Sequence, residues 1–290
     1  MKVSGFTFVR NAIRFDYPVV ESIRSVLPLC DEFIVAVGNS DDDTRNLVLS
    51  IGDPRIRIID TTWDDTLREG GKVLALETDK AFDAISPDST WAFYIQADEV
   101  IHEKYLAPVK AAMQKWKDDP VVDGLVFNYT HFWGSCNYFG TSRKWYRHEV
   151  RVIRNDKRIR SYLDAQGFRK NGNKLTVAPV DACIYHYGWV KPPGAQQAKQ
   201  QTFHRYWHSD RWIEKTVPKT DAFDYSGMHY LEPFTGSHPR VMQERIARQD
   251  WNFNPSPGKK NRSLKSRILH FIELKTGWRV GEYRNYRLVK

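Results

Sequence analysis

WAFYIQADEVI, residues 91–101, runs an apolar, β-prone segment straight into two carboxylates, Asp98 and Glu99. Short apolar runs bounded by turn residues read as buried strands. Toward the N-terminus three more such runs occur, Val3–Val9, Glu32–Val37 and Arg55–Ile59. Helical patterns separate them. Across Asp16–Leu29, Val19, Ile23, Val26 and Leu27 recur at helical spacing, with Asp16 as the candidate N-cap and Pro18 in the first turn. Thr44–Ser50 reads as a short helix. Lys72–Ile85 reads as a longer one, offering Leu74, Leu76, Ala81 and Phe82 for burial. Strands alternating with helices build a parallel sheet covered on both faces. The expected fold is therefore α/β and Rossmann-like, with a mixed, mostly parallel sheet. Ligands of such sheets bind beyond the carboxyl ends of the strands, where the strand order reverses. That rule singles out three loops: Arg10–Asn11, Gly38–Asp43 and Gln96–Glu99.

Beyond residue 120 the pattern loosens. Val121–Tyr129, Val150–Arg154 and Ala182–Tyr187 read as strands, and Thr202–Trp212 as a helix with Phe203, Tyr206 and Trp207 on one side. Residues 216–240 are rich in Pro, Gly and aromatics and read as irregular. Asn254–Gly258 (NPSPG) is the linker candidate, so the expected organisation is a main domain, 1–253, and a basic extension, 254–290. Within the main domain the halves divide at 1–105 and 106–253.

Charge is unevenly spread. Residues 259–290 hold ten Lys/Arg against two acids, so this segment carries +8 of the chain's +9. The remainder is nearly neutral and lacks the basic face of a nucleic-acid binder, so no nucleic-acid partner is expected. Hydrophobic residues make up 41% of the 290, enough for a substantial core. No apolar run reaches the 18 or so residues that a membrane span needs, and Arg10 interrupts the short N-terminal run. A cytoplasmic location is the expectation. Cys30, Cys136 and Cys183 are odd in number and without a CxxC pair, which argues against a disulfide framework or a structural zinc site.

Two carboxylates at a strand end can coordinate a hard divalent cation that neutralises a diphosphate. The same pair can equally be a solvated turn or a helix cap. In GNSDDDT (38–44), Asn39, Ser40 and Asp41–Asp43 can bond a ribose or base, or cap the helix from Thr44. In Ser263–Lys275, Leu264, Ile268, Phe271 and Ile272 share one helical face, with Lys265, Arg267 and His270 elsewhere. Such a basic amphipathic helix either lies on an anionic membrane or packs on the main domain.

The succession FTFVRN (6–11), EFIVAVGNSDDDT (32–44), TTWDD (61–65) with a following helix, and WAFYIQADEVI resembles the family 2 glycosyltransferases. It is closest to a branch with a Trp-Asp-Asp element and an acidic DE end to the metal motif. The resemblance covers roughly residues 3–105 and continues loosely to about 190. It implies a GT-A fold, a nucleotide-sugar donor, a glycan or lipid-linked acceptor, and a divalent metal, Mn²⁺ or Mg²⁺. By position, Ser40, Asp42 and Thr44 match the family's S-x-D-x-T, and Asp98 matches its metal-binding Asp. Arg10, Asn11, Asn39, Asp65, Lys72 and Gln96 are further donor-site candidates. Two departures stand out: Gly38 replaces the family's leading Asp, and Gln96 the first Asp of D-x-D. An amide brings hydrogen bonds but no charge.

YRHEVRVIRNDKRIRSYLDAQGFRK (146–170) resembles the family's base-supplying region. Inverting transfer needs a carboxylate to take the acceptor's proton; Asp164 is the first candidate and Glu149 the second, and a salt bridge to neighbouring Arg is the ordinary alternative for both. In IYHYGWV (184–190), His186 resembles the late His of the metal or diphosphate site, a ligand better suited to Mn²⁺ than to Mg²⁺. Trp133, Tyr138, Trp145 and Trp189 are platform candidates for the acceptor, and Arg143 and Arg147 join Lys72 as phosphate candidates. The functional expectation is an inverting, metal-assisted glycosyltransferase of surface polysaccharide or lipopolysaccharide assembly, peripheral at the inner face of the membrane through 259–290. Two rivals remain: a degenerate GT-A-like binding protein, favoured by Gly38 and Gln96, and a nucleotidyltransferase, disfavoured because FVRNAIRFDYP lacks a Gly-rich basic loop.

Overall fold

The computed structural model describes residues 1–143, 145–228, 230–255 and 264–289. The elements in chain order are β1 (Val3–Val9), α1 (Val19–Val26), β2 (Glu32–Gly38), α2 (Thr44–Leu49), β3 (Ile56–Thr61), α3 (Lys72–Asp83), β4 (Trp91–Tyr94), β5 (Glu99–Ile101) and α4 (Leu106–Trp116). There follow β6 (Gly124–Trp133), β7 (Ser135–Gly140), β8 (His148–Arg154), β9 (Ile159–Tyr162), β10 (Gly167–Lys170), β11 (Asn173–Lys174) and β12 (Thr176–Trp189). The rest comprises α5 (Pro193–Phe203), α6 (Asp210–Thr216), β13 (Leu231–Pro233), α7 (Gln243–Ala247), α8 (Leu264–Thr276) and β14 (Arg287–Leu288).

The main sheet is mixed. Its order is β13-β7-β6-β8-β4-β1-β2-β3, with β12 on β6 and β5 and β14 on β12. β3, β2, β1 and β4 are mutually parallel, and β8 enters antiparallel beside β4. The chain leaves β1 for β2 on one side and returns to β4 on the other, so the order reverses at β1/β4. Alternation along β1 and β2 feeds two cores. Val3, Val9, Phe33, Val35 and Val37 face α1, α2 and α4, while Phe6, Ile34 and Ala36 face α3 and the β9–β10 hairpin. The expected α/β architecture, with helices on both faces of the sheet, is the one observed.

Several local expectations need correction. Asp16 does not cap α1; it takes φ +48 and the helix begins only at Val19, after Pro18. Leu76 is exposed, because α3 buries Val73, Leu74, Ala81 and Phe82 instead. Thr202–Trp212 is not one helix: α5 ends at Phe203, and α6 starts anew at Asp210, where the Ser209 side chain accepts from Trp212 N. In α8 the Ile268 and Phe271 side chains are exposed, at 53% and 61%. Lys259, Lys260, Arg262, Ser263 and Lys290, and the side chains of Leu264, Lys265, Arg267 and His270, lie outside the described residues. Among the described residues no helix is long and apolar enough to cross a membrane.

Candidate active site

Asp98 sits just past the carboxyl end of β4, at the reversal point, and only 8% of it is exposed. Register explains what surrounds it. β12 runs antiparallel to β5, pairing His186 with Glu99, and parallel to β6, pairing His186 with His131 and Trp189 with Trp133. Residues 55 and 56 positions apart in sequence are thereby set side by side. Tyr187 N donates to Asp98 O at 2.8 Å and fixes the turn against β12. Gly188 then lies so close that a Cβ there would stand 2.5 Å from His186 Nε2 and 2.7 Å from Asp98 Oδ2.

Two groups meet on one carboxylate oxygen. Lys199 Nζ, from α5, lies 3.1 Å from Asp98 Oδ2, and His186 Nε2 lies 3.7 Å from it. Lys199 also donates to Gly188 O at 3.3 Å. Lys191, fully buried, donates to Phe15 O at 2.8 Å and faces the Tyr17 ring, as Lys199 does. Burial alone would raise the Asp98 carboxyl, but Lys199 and then His186 outweigh it and hold Asp98 well below the usual carboxylate range. Burial, reinforced by Lys199, pushes the Lys191 amine well down.

The two histidines are joined through their ring nitrogens. Burial and then the neighbouring His186 push His131 well below the usual imidazole range, which favours its neutral form. Its Nε2 lies 3.1 Å from Tyr146 O, which can only accept, so the ring proton is on Nε2. His131 Nδ1 must then accept from His186 Nδ1 at 3.2 Å, which turns His186 Nε2 toward Asp98.

Glu99, adjacent in sequence, has a different fate. It is fully buried, takes Arg151 Nε at 2.7 Å and Arg151 Nη2 at 2.5 Å, accepts from the Tyr129 hydroxyl, and caps Gln96 N at 3.1 Å. Gln96 turns its amide to Tyr94 OH and Ala165 O, both at 3.3 Å. Glu99 is not free to join Asp98 around a cation, and among the described residues no group of three or more His, Cys, Asp or Glu is arranged to hold a metal. Asp98 and His186, the two expected ligands, are brought together. As a donor set, however, they do not fit a divalent ion, because a cationic side chain already lies on the oxygen that would bind it.

The second loop is spent on structure. Asn11, with φ +56, accepts from Asp41 N at 2.7 Å, and its own N donates to Ser40 Oγ at 3.0 Å. Asp42 takes Arg14 N and Thr44 N, at 2.7 and 3.0 Å, and also the Thr44 hydroxyl; Thr44 Oγ1 accepts Ala12 N at 2.7 Å. Asn39 accepts Trp63 N at 3.0 Å. The Gly38 departure has a steric cause: a Cβ there would stand 2.3 Å from Trp63 Nε1, so the indole fills the space a side chain would need. Beside this loop Arg10 makes a bidentate pair with Asp65, at 2.6 and 3.2 Å, and faces the Trp63 ring. Lys72 pairs with exposed Glu69 at 2.7 Å.

From here contacts run without a break across the crevice: Trp63 to Tyr206, Tyr206 to Phe203, Phe203 to Lys199, then Asp98, His186, His131 and Trp145. Trp133 stacks on Trp189 with centroids 4.6 Å apart, and Trp145 lies edge-on to both. Tyr138 is not part of this group; it packs on Phe253. Arg143 and Arg147 are committed to Glu273 and Glu282 near the C-terminus.

The base candidates differ in access. Asp164 is half-buried at the tip of the β9–β10 hairpin, between Leu163 and Ala165, whose φ values are +52 and +61, and it accepts from Gln166 Nε2 at 2.9 Å. Gln96 holds this tip to the end of β4 through Ala165 O. Glu149 is buried beneath the same hairpin, and burial raises its carboxyl to about 7 against the pull of Arg151. Sequence reasoning missed Lys191 and Lys199 altogether. The signal was present in GWVKPPGAQQAK, where both lysines bracket a helix start directly after the His186 strand.

No family model matches the chain, and no curated protein matches it. Solved structures do. Glucosyl-3-phosphoglycerate synthase from Mycobacterium tuberculosis, in complex with Mn²⁺, UDP and phosphoglyceric acid, is 18% identical over 45% of this chain and 43% of its own, with a TM-score of 0.31. S. aureus TarS 1–349 in complex with UDP is 13% identical over 70% of this chain and 64% of its own, with a TM-score of 0.41. 4-Diphosphocytidyl-2C-methyl-D-erythritol synthase from Anaerococcus prevotii is 13% identical over 53% and 71%, with a TM-score of 0.34. Likenesses this partial do not choose among chemistries.

Proposed function

We propose that the protein is a glycosyltransferase that moves a sugar, with inversion, from a nucleotide-sugar donor to a glycan or lipid-linked acceptor. The observation that carries this reading is the unbroken run of side-chain contacts at the β1/β4 reversal. It joins an Arg10–Asp65–Trp63–Tyr206 wall, the buried Asp98–Lys199 pair, and the Trp133–Trp145–Trp189 wall. A nucleoside fits the first by stacking and bidentate hydrogen bonding, a diphosphate the second, and sugar rings the third. Asp164 is the candidate base. The acceptor oxygen forms its bond to the sugar's C1 as the C1–O bond to the diphosphate breaks, and the acceptor's proton passes to the Asp164 carboxylate. The same reading places the enzyme in surface-polysaccharide assembly in the cytoplasm. Ile268 and Phe271, exposed on α8 in the basic C-terminal segment, support contact with an anionic membrane there.

The test is thermal stability against UDP-, GDP-, CMP- and dTDP-sugars, because a ligand that binds only the folded state raises the melting temperature. A shift for one nucleotide class, with donor turnover reduced at least tenfold in Asp164→Asn, supports the proposal. No shift for any donor rejects it in favour of a non-catalytic relative.

A further inference from the structure

We propose that the Lys199 side chain, held by Asp98, does the work of a divalent cation, so that this protein binds the diphosphate of its donor without metal. The inference rests on the glycosyltransferase reading and deepens it. Three observations carry it. First, Nζ of Lys199 lies 3.1 Å from Asp98 Oδ2, on the carboxylate that a divalent ion at this site would need. Second, a lysine has three N–H donors. Asp98 and Gly188 O take two, at 3.1 and 3.3 Å, which leaves one for a ligand oxygen. Third, neighbouring Glu99 is spent on Arg151, and a second lysine, Lys191, lies buried nearby against Phe15 O and the Tyr17 ring. Burial, reinforced by Lys199, disfavours the charge on that amine, and an anion beside it would favour the charge.

The remaining polar surroundings agree. Gln196, one turn before Lys199 on α5, is fully buried, and neither its amide nitrogen nor its amide oxygen has a hydrogen-bond partner among the described residues. Residues three apart share a helical face, so this amide lies beside the lysine. Asp98 and Gly188 O orient Nζ, and the missing side chain of Gly188 admits the close approach. When the C1–O bond breaks, the electron pair stays on the departing diphosphate, and the Lys199 N–H meets the charge that accumulates there. No ion or other co-reactant enters the balance.

The experiment measures binding of UDP, GDP, CDP and dTDP by calorimetry, once with excess EDTA and once with Mn²⁺. One nucleotide is expected to bind in EDTA with an affinity within about threefold of that in Mn²⁺. Lys199→Met should weaken this binding at least tenfold and Lys199→Arg by much less, since arginine keeps the charge and a donor. Binding only with Mn²⁺ would overturn the inference and leave the transferase reading standing. Binding in EDTA that Lys199→Met leaves intact would likewise overturn it. No binding of any nucleotide in either condition would overturn both. If Lys199→Met does not fold, the EDTA arm on the wild type and on Lys199→Arg still decides.

Discussion

Gly38–Thr44 and Gln96–Glu99 are both acidic loops at the carboxyl ends of strands that flank β1, and in composition they make similar claims to a ligand. The structure separates them by where each carboxylate's hydrogen bonds go. In the first loop Asp42 is spent on neighbouring backbone, joining the β1–α1 and β2–α2 connections. In the second, Glu99 is spent on a buried arginine, while Asp98 meets side chains delivered from β12 and α5. A local acid satisfied by local N–H groups is scaffolding. An acid locked to one arginine by paired hydrogen bonds is scaffolding too, whereas Asp98, held by a lysine that keeps an N–H for a ligand, marks a site.

The largest effect that could break this contrast is at Glu99. Glu99→Gln takes from buried Arg151 its hydrogen-bonded counter-charge and leaves only Glu149, at 4.0 Å, and such disruptions cost about 3–5 kcal/mol. Urea denaturation should show a loss of that order. A near-neutral variant would mean that Glu99 is not the structural member of the pair.

Next is Glu149, whose folded carboxyl titrates at about 7 against an ordinary 4.5. A raised folded value means the group's stabilising contribution is fully present below about 4.5 and is lost as pH rises through about 7. At ~1.4 kcal/mol per unit the loss is about 3 kcal/mol. Wild-type stability should therefore fall from pH 5 to pH 8 by more than that of Glu149→Gln. Equal slopes in the two proteins would remove the buried carboxyl as the cause.

A smaller effect is expected at Asp42. Asp42→Ala removes acceptors from Arg14 N and Thr44 N and should cost about 1–3 kcal/mol, with nucleotide affinity little changed. If affinity collapsed and stability held, the first loop would be a ligand loop and the contrast would fail. The smallest is Lys72→Ala: its partner Glu69 is solvent-exposed, so neither melting temperature nor nucleotide affinity should move measurably.

Much of residues 1–105 was legible in the sequence because the signals there are local. β1 was read to the residue, and β2, α2 and α3 to within one or two, since apolar runs and helical spacing there record burial on both faces of a sheet. The broken helix at 202–212 was not, because aromatic residues at helical spacing fit two short turns as well as one long one. Asp98 and His186 were singled out separately, each on a motif. That Glu99 would turn away to Arg151 was not visible, because adjacent carboxylates look alike until the register of β8 and β12 is known.

The sequence by itself determined the strand–helix alternation, the position of the reversal at the end of β1, and hence which loops face the crevice. These follow from periodicity and from the handedness of βαβ connections. Only the tertiary structure decided which acid in each loop is free to act and which cations oppose it. Lys199 meets Asp98 across 101 positions, and such a contact depends on how β5, β12 and α5 pack, an arrangement that no local pattern encodes.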